Sequence, residues 1–195
     1  PNLRVITGWA SLSFDKDGIL GLGSEDSSSG SQSARDLLVQ AVNSDNYIVV
    51  DDASSRSDVA FCRVVPARFR TPNGTKLRAY IVLIDFADFR QLLGNDEARA
   101  SFDVGWGFLH EVDHVVADSK DAEEQGLLGD CENHINVMRS EIGLPLRVEY
   151  FFTESHLKTN PNFGNKLVRL AFEHHDANNA RTRRYWLMWD SNVVG

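Results

Sequence analysis

The chain has 195 residues, of which 42% are hydrophobic and 25% charged, a composition typical of one soluble globular domain over residues 1–195. Its formal net charge of −8 disfavours a nucleic-acid partner, because a phosphate backbone repels an acidic surface. It contains no run of about 18 apolar residues, so neither a transmembrane helix nor a membrane partner is expected.

The sequence says little about the cellular setting. The chain begins at Pro1 without a basic and apolar leader, which predicts no signal peptide and suggests a trimmed or processed chain. Its two cysteines, Cys62 and Cys131, are too few for a disulfide framework and are expected to be buried thiols. Localisation stays open between the cytoplasm and secretion or delivery, and the oligomeric state stays open as well.

The N-terminal part of the chain alternates apolar runs with polar breaks. Residues 1–23 predict one or two short strands, and the Gly/Ser-rich residues 23–33 predict a flexible linker or a long loop. Ser33 is the expected cap of a helix over residues 34–42, which carry an apolar stripe. Strands are predicted at residues 47–50, 57–65 and 76–86, with Pro66 ending the second or placing it on a sheet edge.

Residues 76–86 form the most apolar of these strands. It is predicted either as an interior strand or as an edge strand beside a cleft, where an extended peptide could add to it. Short helices are then expected at 87–93 and 95–101. Towards the C-terminus, residues 166–174 and 181–190 predict a β-hairpin around a loop at 176–180. The predicted fold class is therefore α+β, with a mixed or antiparallel sheet and a C-terminal β-hairpin.

One stretch of the chain, residues 105–118, carries the clearest chemistry. It contains His110-Glu111-x-x-His114 among apolar neighbours, which predicts a buried helix. Because positions four apart share one helix face, both imidazoles can bind one Zn²⁺ ion. Glu111 can then accept a proton from a zinc-bound water. A surface helix with two solvated histidines is the alternative, and the apolar flanks disfavour it.

A catalytic zinc site needs a third protein ligand and an open position for water. Glu124 is the favoured ligand, reached if the chain turns at residues 117–120 and starts a second helix with Ser119 as its cap. Asp121 is the close second, because His-Glu-x-x-His-x6-Asp is a spacing that a known class of zinc peptidases uses after a tight turn. We expect one zinc ion per chain. The other acidic candidates in this stretch are Asp118, Glu123 and Glu132.

A second signal follows the motif. Residues 131–142 predict a helix that ends at Gly143 and Pro145. Arg147 and Tyr150 come directly after it, and a turning segment would bring both to the same cleft. A guanidinium and a phenolic hydroxyl beside a zinc ion can stabilise a tetrahedral oxyanion, so both are candidate catalytic residues with Glu111.

These motifs together resemble those of bacterial effector-type zinc metallopeptidases, such as NleD-like peptidases and toxin domains of RHS-repeat proteins. The ligand plan is also similar to that of clostridial neurotoxin light chains. The resemblance implies a zincin-like domain in which Glu124 is the third ligand, Glu123 supports it, and Arg147 and Tyr150 stabilise the transition state. The stretch from His114 to Glu124 is shorter than in those families, which keeps Asp121 as the alternative. The matching residues are His110, Glu111, His114, Glu123, Glu124, Asn136, Arg139, Gly143, Leu144, Pro145, Arg147 and Tyr150.

The predicted function is that of a zinc-dependent endopeptidase acting on a protein or peptide substrate. A zinc-bound water attacks the scissile carbonyl, with Glu111 as the general base. One alternative is a zinc hydrolase of non-peptide or cell-wall amides. Another is a binding module with a structural zinc, which would need a fourth protein ligand that closes the site.

Overall fold

The fold is known from a computed structural model that describes most of the chain. The described residues are 2–23, 29–54, 56–154, 167–176 and 181–194. The helices are α1 (Asn2–Thr7), α2 (Gln32–Asn43), α3 (Phe86–Arg90), α4 (Asp96–Ala100), α5 (Val104–Ala117) and α6 (Gly129–Glu141). The strands are β1 (Ser13–Phe14), β2 (Leu20–Gly21), β3 (Asn46–Asp52), β4 (Cys62–Arg70), β5 (Lys76–Ile84), β6 (Leu93–Gly94), β7 (Leu146–Arg147), β8 (Thr153–Glu154), β9 (Leu167–Asp176) and β10 (Arg181–Asp190).

The first sheet has the strand order β3-β5-β4, with β5 parallel to β3 and antiparallel to β4. The interior interpretation of residues 76–86 is therefore confirmed, and the edge interpretation is wrong. Val82, Leu83 and Ile84 are all buried, as expected where both faces of a strand are covered. The edge strand next to helix α5 is β4 instead. Strand β4 contains Pro66 and continues beyond it, so the prediction that Pro66 lies on a sheet edge is confirmed.

The second sheet has the order β6-β10-β9-β7, with β8 also paired to β9. Strands β9 and β10 are antiparallel from Leu167 opposite Asp190 to Asp176 opposite Arg181, which confirms the predicted hairpin. Its loop at 177–180 and the segment at 155–166 lie outside the described residues. A third, two-stranded sheet joins β1 and β2. With these sheets and the helices in place, the predicted α+β class is confirmed as one domain with mixed and antiparallel sheets.

The N-terminal predictions need two corrections. Residues 1–23 contain two short strands, β1 and β2, as predicted, but their first apolar run lies in helix α1, because a helix turns Leu3 and Ile6 together onto the main core. The cap of α2 is Ser31, whose hydroxyl accepts from the Ala34 N–H at 2.9 Å, and not Ser33, which binds Glu141. The predicted linker at 23–33 falls partly outside the described residues.

Helix α5 lies in the middle of the largest buried apolar cluster. Trp106, Leu109 and Val112 pack there against residues of α2, β5 and α6. The Asp103 carboxylate caps the first turn by accepting from the N–H groups of Gly105 and Trp106 at 2.8 and 3.3 Å. The first turn and the apolar face of α5 are therefore fixed, which gives its polar residues defined positions. Every helix in the described ranges is too short or too polar to cross a membrane.

Candidate metal centre

Helix α5 brings the motif residues together on one side. His110 and His114 are one turn apart, and the centroids of their rings are separated by 4.7 Å. His110 is 9% exposed and Glu111 7% exposed, so both are nearly excluded from water. Histidine and glutamate are seldom buried to this degree without partners. The partners of these two residues lie on the turn after α5, on strand β4 and on helix α6.

The third residue at the imidazoles is Asp121. Its Oδ1 lies 3.0 Å from His110 Nε2 and 3.5 Å from His114 Nε2. Three potential ligand atoms therefore converge on one point, with two nitrogens and one oxygen as donors. Zinc binds this kind of donor set.

The turn after α5 explains why Asp121 is in place. Asp118 ends the helix with a left-handed backbone at φ 52°, and the chain reverses at once. Asp121 then pairs with Gly129 in an isolated β-bridge, and the Cys131 N–H donates to the Lys120 carbonyl at 3.1 Å. A side chain at residue 129 would meet the Ala122 nitrogen at 2.4 Å, so glycine is required for this close approach.

Glu124, the favoured ligand, lies outside this group. No helix begins at Ser119 among the described residues, since the next one, α6, starts at Gly129. Glu123 and Glu124 instead occupy an exposed loop, and the His110, His114 and Asp121 cluster contains neither of them. The prediction assumed that a second helix would return a carboxylate to the metal, whereas the tight turn delivers Asp121 first.

The other nitrogen of each imidazole is also bound. His114 Nδ1 lies 2.9 Å from the Ser119 carbonyl oxygen, which can only accept, so Nδ1 carries the proton. His110 Nδ1 lies 3.4 Å from Glu132 Oε2. Contacts of this kind fix the ring orientation and direct both Nε2 atoms towards the shared point. The Ser119 contact could not be predicted from the sequence, because any residue type carries a backbone carbonyl.

Glu132 is a fully buried carboxylate between two arginines. It contacts Arg139 Nη1, and its Oε2 lies 2.9 Å from Arg147 Nη1. Burial alone would raise the pKa of Glu132, but the two guanidinium groups outweigh it and lower that pKa well below the usual range. Glu132 is thus an anion at neutral pH and can hold the His110 Nδ1 proton.

The imidazoles of His110 and His114 share the Asp121 carboxylate as a partner. Burial alone would lower the pKa of His110, but hydrogen bonds to Asp121, Cys131 and Glu132 outweigh it and raise that pKa. The pKa of Asp121 is lowered in turn, because its hydrogen bonds to both histidines outweigh the effect of burial. A carboxylate that faces two imidazole nitrogens also suits a divalent cation.

Glu111 lies beside the cluster in a buried position. Its Oε2 accepts a hydrogen bond from the Val64 N–H of edge strand β4 at 2.8 Å. Burial raises the pKa of Glu111, while the nearby histidines act in the opposite direction. A carboxylate with a raised pKa is a stronger base than an ordinary glutamate, which suits proton transfer near neutral pH.

Arg147 and Tyr150 take different positions. The Tyr150 ring stacks on the His110 ring at 6.1 Å with a 20° tilt, and burial together with the nearby Asp121 carboxylate raises the pKa of its hydroxyl. Arg147 is turned away, since its three nitrogens donate to Glu132, to the Glu149 carbonyl and to the Tyr150 carbonyl. The structure therefore brings Tyr150 to the cluster and places Arg147 behind it, as the support of Glu132.

Two further residues at the cluster had no assigned role in the sequence. The Cys131 thiol is buried, and its sulfur forms one group with ligand atoms of His110, His114 and Asp121, all within 4.8 Å of one another.

The buried Asp113 carboxylate accepts from the Ser119 hydroxyl at 2.6 Å and contacts His134 Nδ1 at 2.9 Å. Asp113, out of place in an apolar motif helix, thereby holds the turn that carries Asp121. The group formed by His110, His114, Asp121 and Cys131 could hold a metal ion.

Comparison with known proteins adds no relative. No protein-family model, curated protein or solved structure matches this chain. The geometry of the cluster is therefore the basis of the function proposed below.

Proposed function

We propose that this protein is a zinc-dependent endopeptidase with a zincin-like site. The observation that supports the proposal most strongly is the convergence of His110 Nε2, His114 Nε2 and Asp121 Oδ1, while the Nδ1 atoms of both histidines are bound elsewhere. Two imidazoles and one carboxylate are the ligands of many catalytic zinc sites. When bound there, zinc would polarise a scissile carbonyl and make a water molecule acidic enough to deprotonate near neutral pH.

The chain's own residues would carry the proton transfers. Glu111 would accept the proton of the attacking water and pass it to the departing amine, so that the amide C–N bond breaks and a C–O bond replaces it. The Tyr150 hydroxyl, next to Asp121, would donate to the developing oxyanion. Arg147 would act indirectly, by keeping Glu132 ionised against His110.

Metal analysis of matched variants tests the site. About one zinc per chain is expected in the wild type, with loss in His110→Ala and Asp121→Ala and retention in Glu124→Ala. Retention in Asp121→Ala with loss in Glu124→Ala would reverse the ligand assignment. No zinc in the wild type after reconstitution would end the proposal.

Turnover needs a separate test. Glu111→Gln should keep its zinc but lose cleavage of a mixed peptide pool, measured by mass spectrometry. Glu123→Gln, a matched change on the exposed loop, should cleave like the wild type. Undiminished cleavage by Glu111→Gln would contradict the assigned base. Cleavage of amides in cell-wall fragments but not in peptides would favour the other hydrolase class.

Cys131 favours a second candidate function, a binding module with a closed structural zinc. Its thiol is close enough to the other three ligand atoms to be a fourth ligand, which would leave no position for water. Against this, burial raises the pKa of the thiol to about 11, and the thiol donates to the His110 carbonyl at 3.3 Å. Cys131→Ser decides between them: unchanged zinc affinity supports the open site, and a large loss supports the closed one.

A further inference from the structure

A large apolar cavity adjoins the metal cluster. Its volume is about 460 Å³, within the range of roughly 300–1,000 Å³ that is usual for ligand pockets. His110 and Glu111 form part of its wall, so a group bound in it lies next to the reacting atoms. The rest of the wall is mostly aromatic or aliphatic, with Phe61, Phe89, Phe102, Phe152, Leu170 and Trp189 among its residues.

Phe61 shows that this wall is held in a defined shape. Its backbone is left-handed at φ 62°, an uncommon conformation for a bulky residue. The conformation is maintained from both sides, since the Phe61 N–H donates to Asp88 Oδ2 at 3.0 Å and its carbonyl accepts from the Asp85 N–H at 2.8 Å. The Phe61 ring then makes edge contacts with Phe89, Phe102 and Trp189 at 5.1–5.3 Å.

The charged groups in the wall do not favour a charged occupant. Among the described residues of the wall, both arginines, Arg139 and Arg147, are already bound to Glu132, and their two positive charges balance the negative charges of Glu132 and Glu111. Glu111 is the remaining carboxylate and would repel an acidic side chain. A basic side chain would pair with Glu111 and compete with its role as a base. An apolar side chain gains from leaving water and leaves no buried charge without a partner.

We propose that this cavity determines specificity by binding a large apolar side chain, aromatic or long aliphatic, of the substrate residue next to the scissile bond. The inference rests on the proposed function, because the cavity selects substrates only if His110 and Glu111 act on a peptide. The exposed residues Ala60 and Phe152 lie on its wall, so the side chain enters from that side.

Two small hydroxamates test the proposal without any need for turnover. They share one metal-binding group, and one carries a benzyl group where the other carries a methyl group. Affinities are measured by calorimetry on the zinc-loaded protein, after its zinc content is known. We expect the benzyl compound to bind about 10- to 100-fold more tightly, as burial of an aromatic side chain predicts.

Variants locate the effect. Ala60→Trp should fill part of the cavity and reduce the advantage of the benzyl compound to less than about threefold, with methyl binding unchanged. Val42→Trp, on an exposed position of α2 away from the cavity wall, is the control and should behave like the wild type.

The outcomes separate the two proposals. Equal affinity of both compounds for the zinc protein would overturn the specificity pocket and leave the metal site standing. Tighter binding of a carboxylate-bearing hydroxamate would also overturn the pocket. Absence of zinc, with no hydroxamate bound, would overturn the proposed function itself and the pocket with it.

Discussion

Two carboxylates approach His110 from opposite sides, and their surroundings differ. Asp121 contacts Nε2, is 37% exposed, and has two imidazoles as partners. Glu132 contacts Nδ1, is 1% exposed, and has two arginines as further partners. The imidazoles beside Asp121 can release their protons and bind a metal ion together with the Asp121 carboxylate. The arginines beside Glu132 stay protonated, so Glu132 cannot bind a metal ion there and instead orients the His110 ring.

Glu132→Ala should have the largest effect, because it leaves two buried arginines without their anion. A loss of roughly 3–5 kcal/mol in the free energy of unfolding is expected for the metal-free protein, measured by urea denaturation. Glu123→Ala, an exposed glutamate nearby, is the control and should change little. A loss below about 1 kcal/mol for Glu132→Ala would mean that the arginine pair does not depend on it.

Asp121→Asn should show the opposite profile. Its stability without metal should fall less than that of Glu132→Ala, because Asp121 is partly exposed and its imidazole partners can lose their protons, but stabilisation by zinc should disappear. In the wild type, zinc at about 100 times its dissociation constant should add roughly 2.7 kcal/mol. The same denaturation curves, with zinc and with a chelator, measure both quantities. Equal zinc stabilisation in Asp121→Asn would remove Asp121 from the ligand set.

Asp113→Asn tests how far the support of Asp121 extends. The Asp113 carboxylate binds both the Ser119 hydroxyl and His134 Nδ1, and a neutral amide at this position would bind them more weakly. The turn after α5 should therefore loosen. Zinc affinity should fall about 10- to 100-fold, as is usual when the support of a ligand is removed. Competition with a chromophoric chelator measures it, and Asp130→Asn on the exposed start of α6 is the control.

Substitution of Glu141 should have the smallest effect on stability. Glu141 therefore serves as a reference for Asp121 and Glu132. It is exposed, and it accepts from Ser33 Oγ at 2.7 Å and from the Ser33 N–H at 3.0 Å. Burial alone would raise its pKa, but hydrogen bonds to Ser31 and Ser33 outweigh it, and the pKa is lowered. Its stabilisation is therefore present above the unfolded pKa of about 4.3 and lost as pH falls through the lower folded pKa.

Glu141→Gln should accordingly lower the free energy of unfolding at pH 7 by at most about 1 kcal/mol, since water screens the contact. The difference between Glu141→Gln and the wild type should shrink as pH falls below about 4. Denaturation curves at pH 7 and pH 3 measure it. A difference that grows on acidification would contradict the assigned sign.

The sequence predicted the parts of the site that depend on local spacing. His110, Glu111 and His114 follow from helical periodicity, and Asp121 was one of two candidates for the third position. The choice between Asp121 and Glu124 depended on whether residues 119–128 form a helix or a tight turn. Propensity could not decide this, because the turn is fixed by tertiary contacts, namely Asp113 with Ser119 and Gly129 with Asp121.

The contacts of Glu132 and the cavity were beyond sequence reasoning for a similar reason. Glu132 meets His110 only because α6 packs on α5, and the cavity is closed by residues of β9 and β10 far along the chain. The fold was predicted at the level of class and hairpin. The short strands predicted within residues 1–23 are found as β1 and β2, but the helix at residues 2–7 was not predicted, because a short apolar run fits a helix and a strand equally well.

The bridge between Asp121 and Gly129 closes the loop at residues 122–128. It joins the two ends of residues 122–128, whose middle part is exposed and includes Gly126 with open space around it. Insertions or deletions in that middle part would leave both ends of the loop where they are. The length of this loop can therefore change while His110, His114 and Asp121 keep their mutual positions. The spacing from His114 to Asp121 would stay the same, whereas the spacing from His114 to Cys131 and Glu132, which follow the loop, would change.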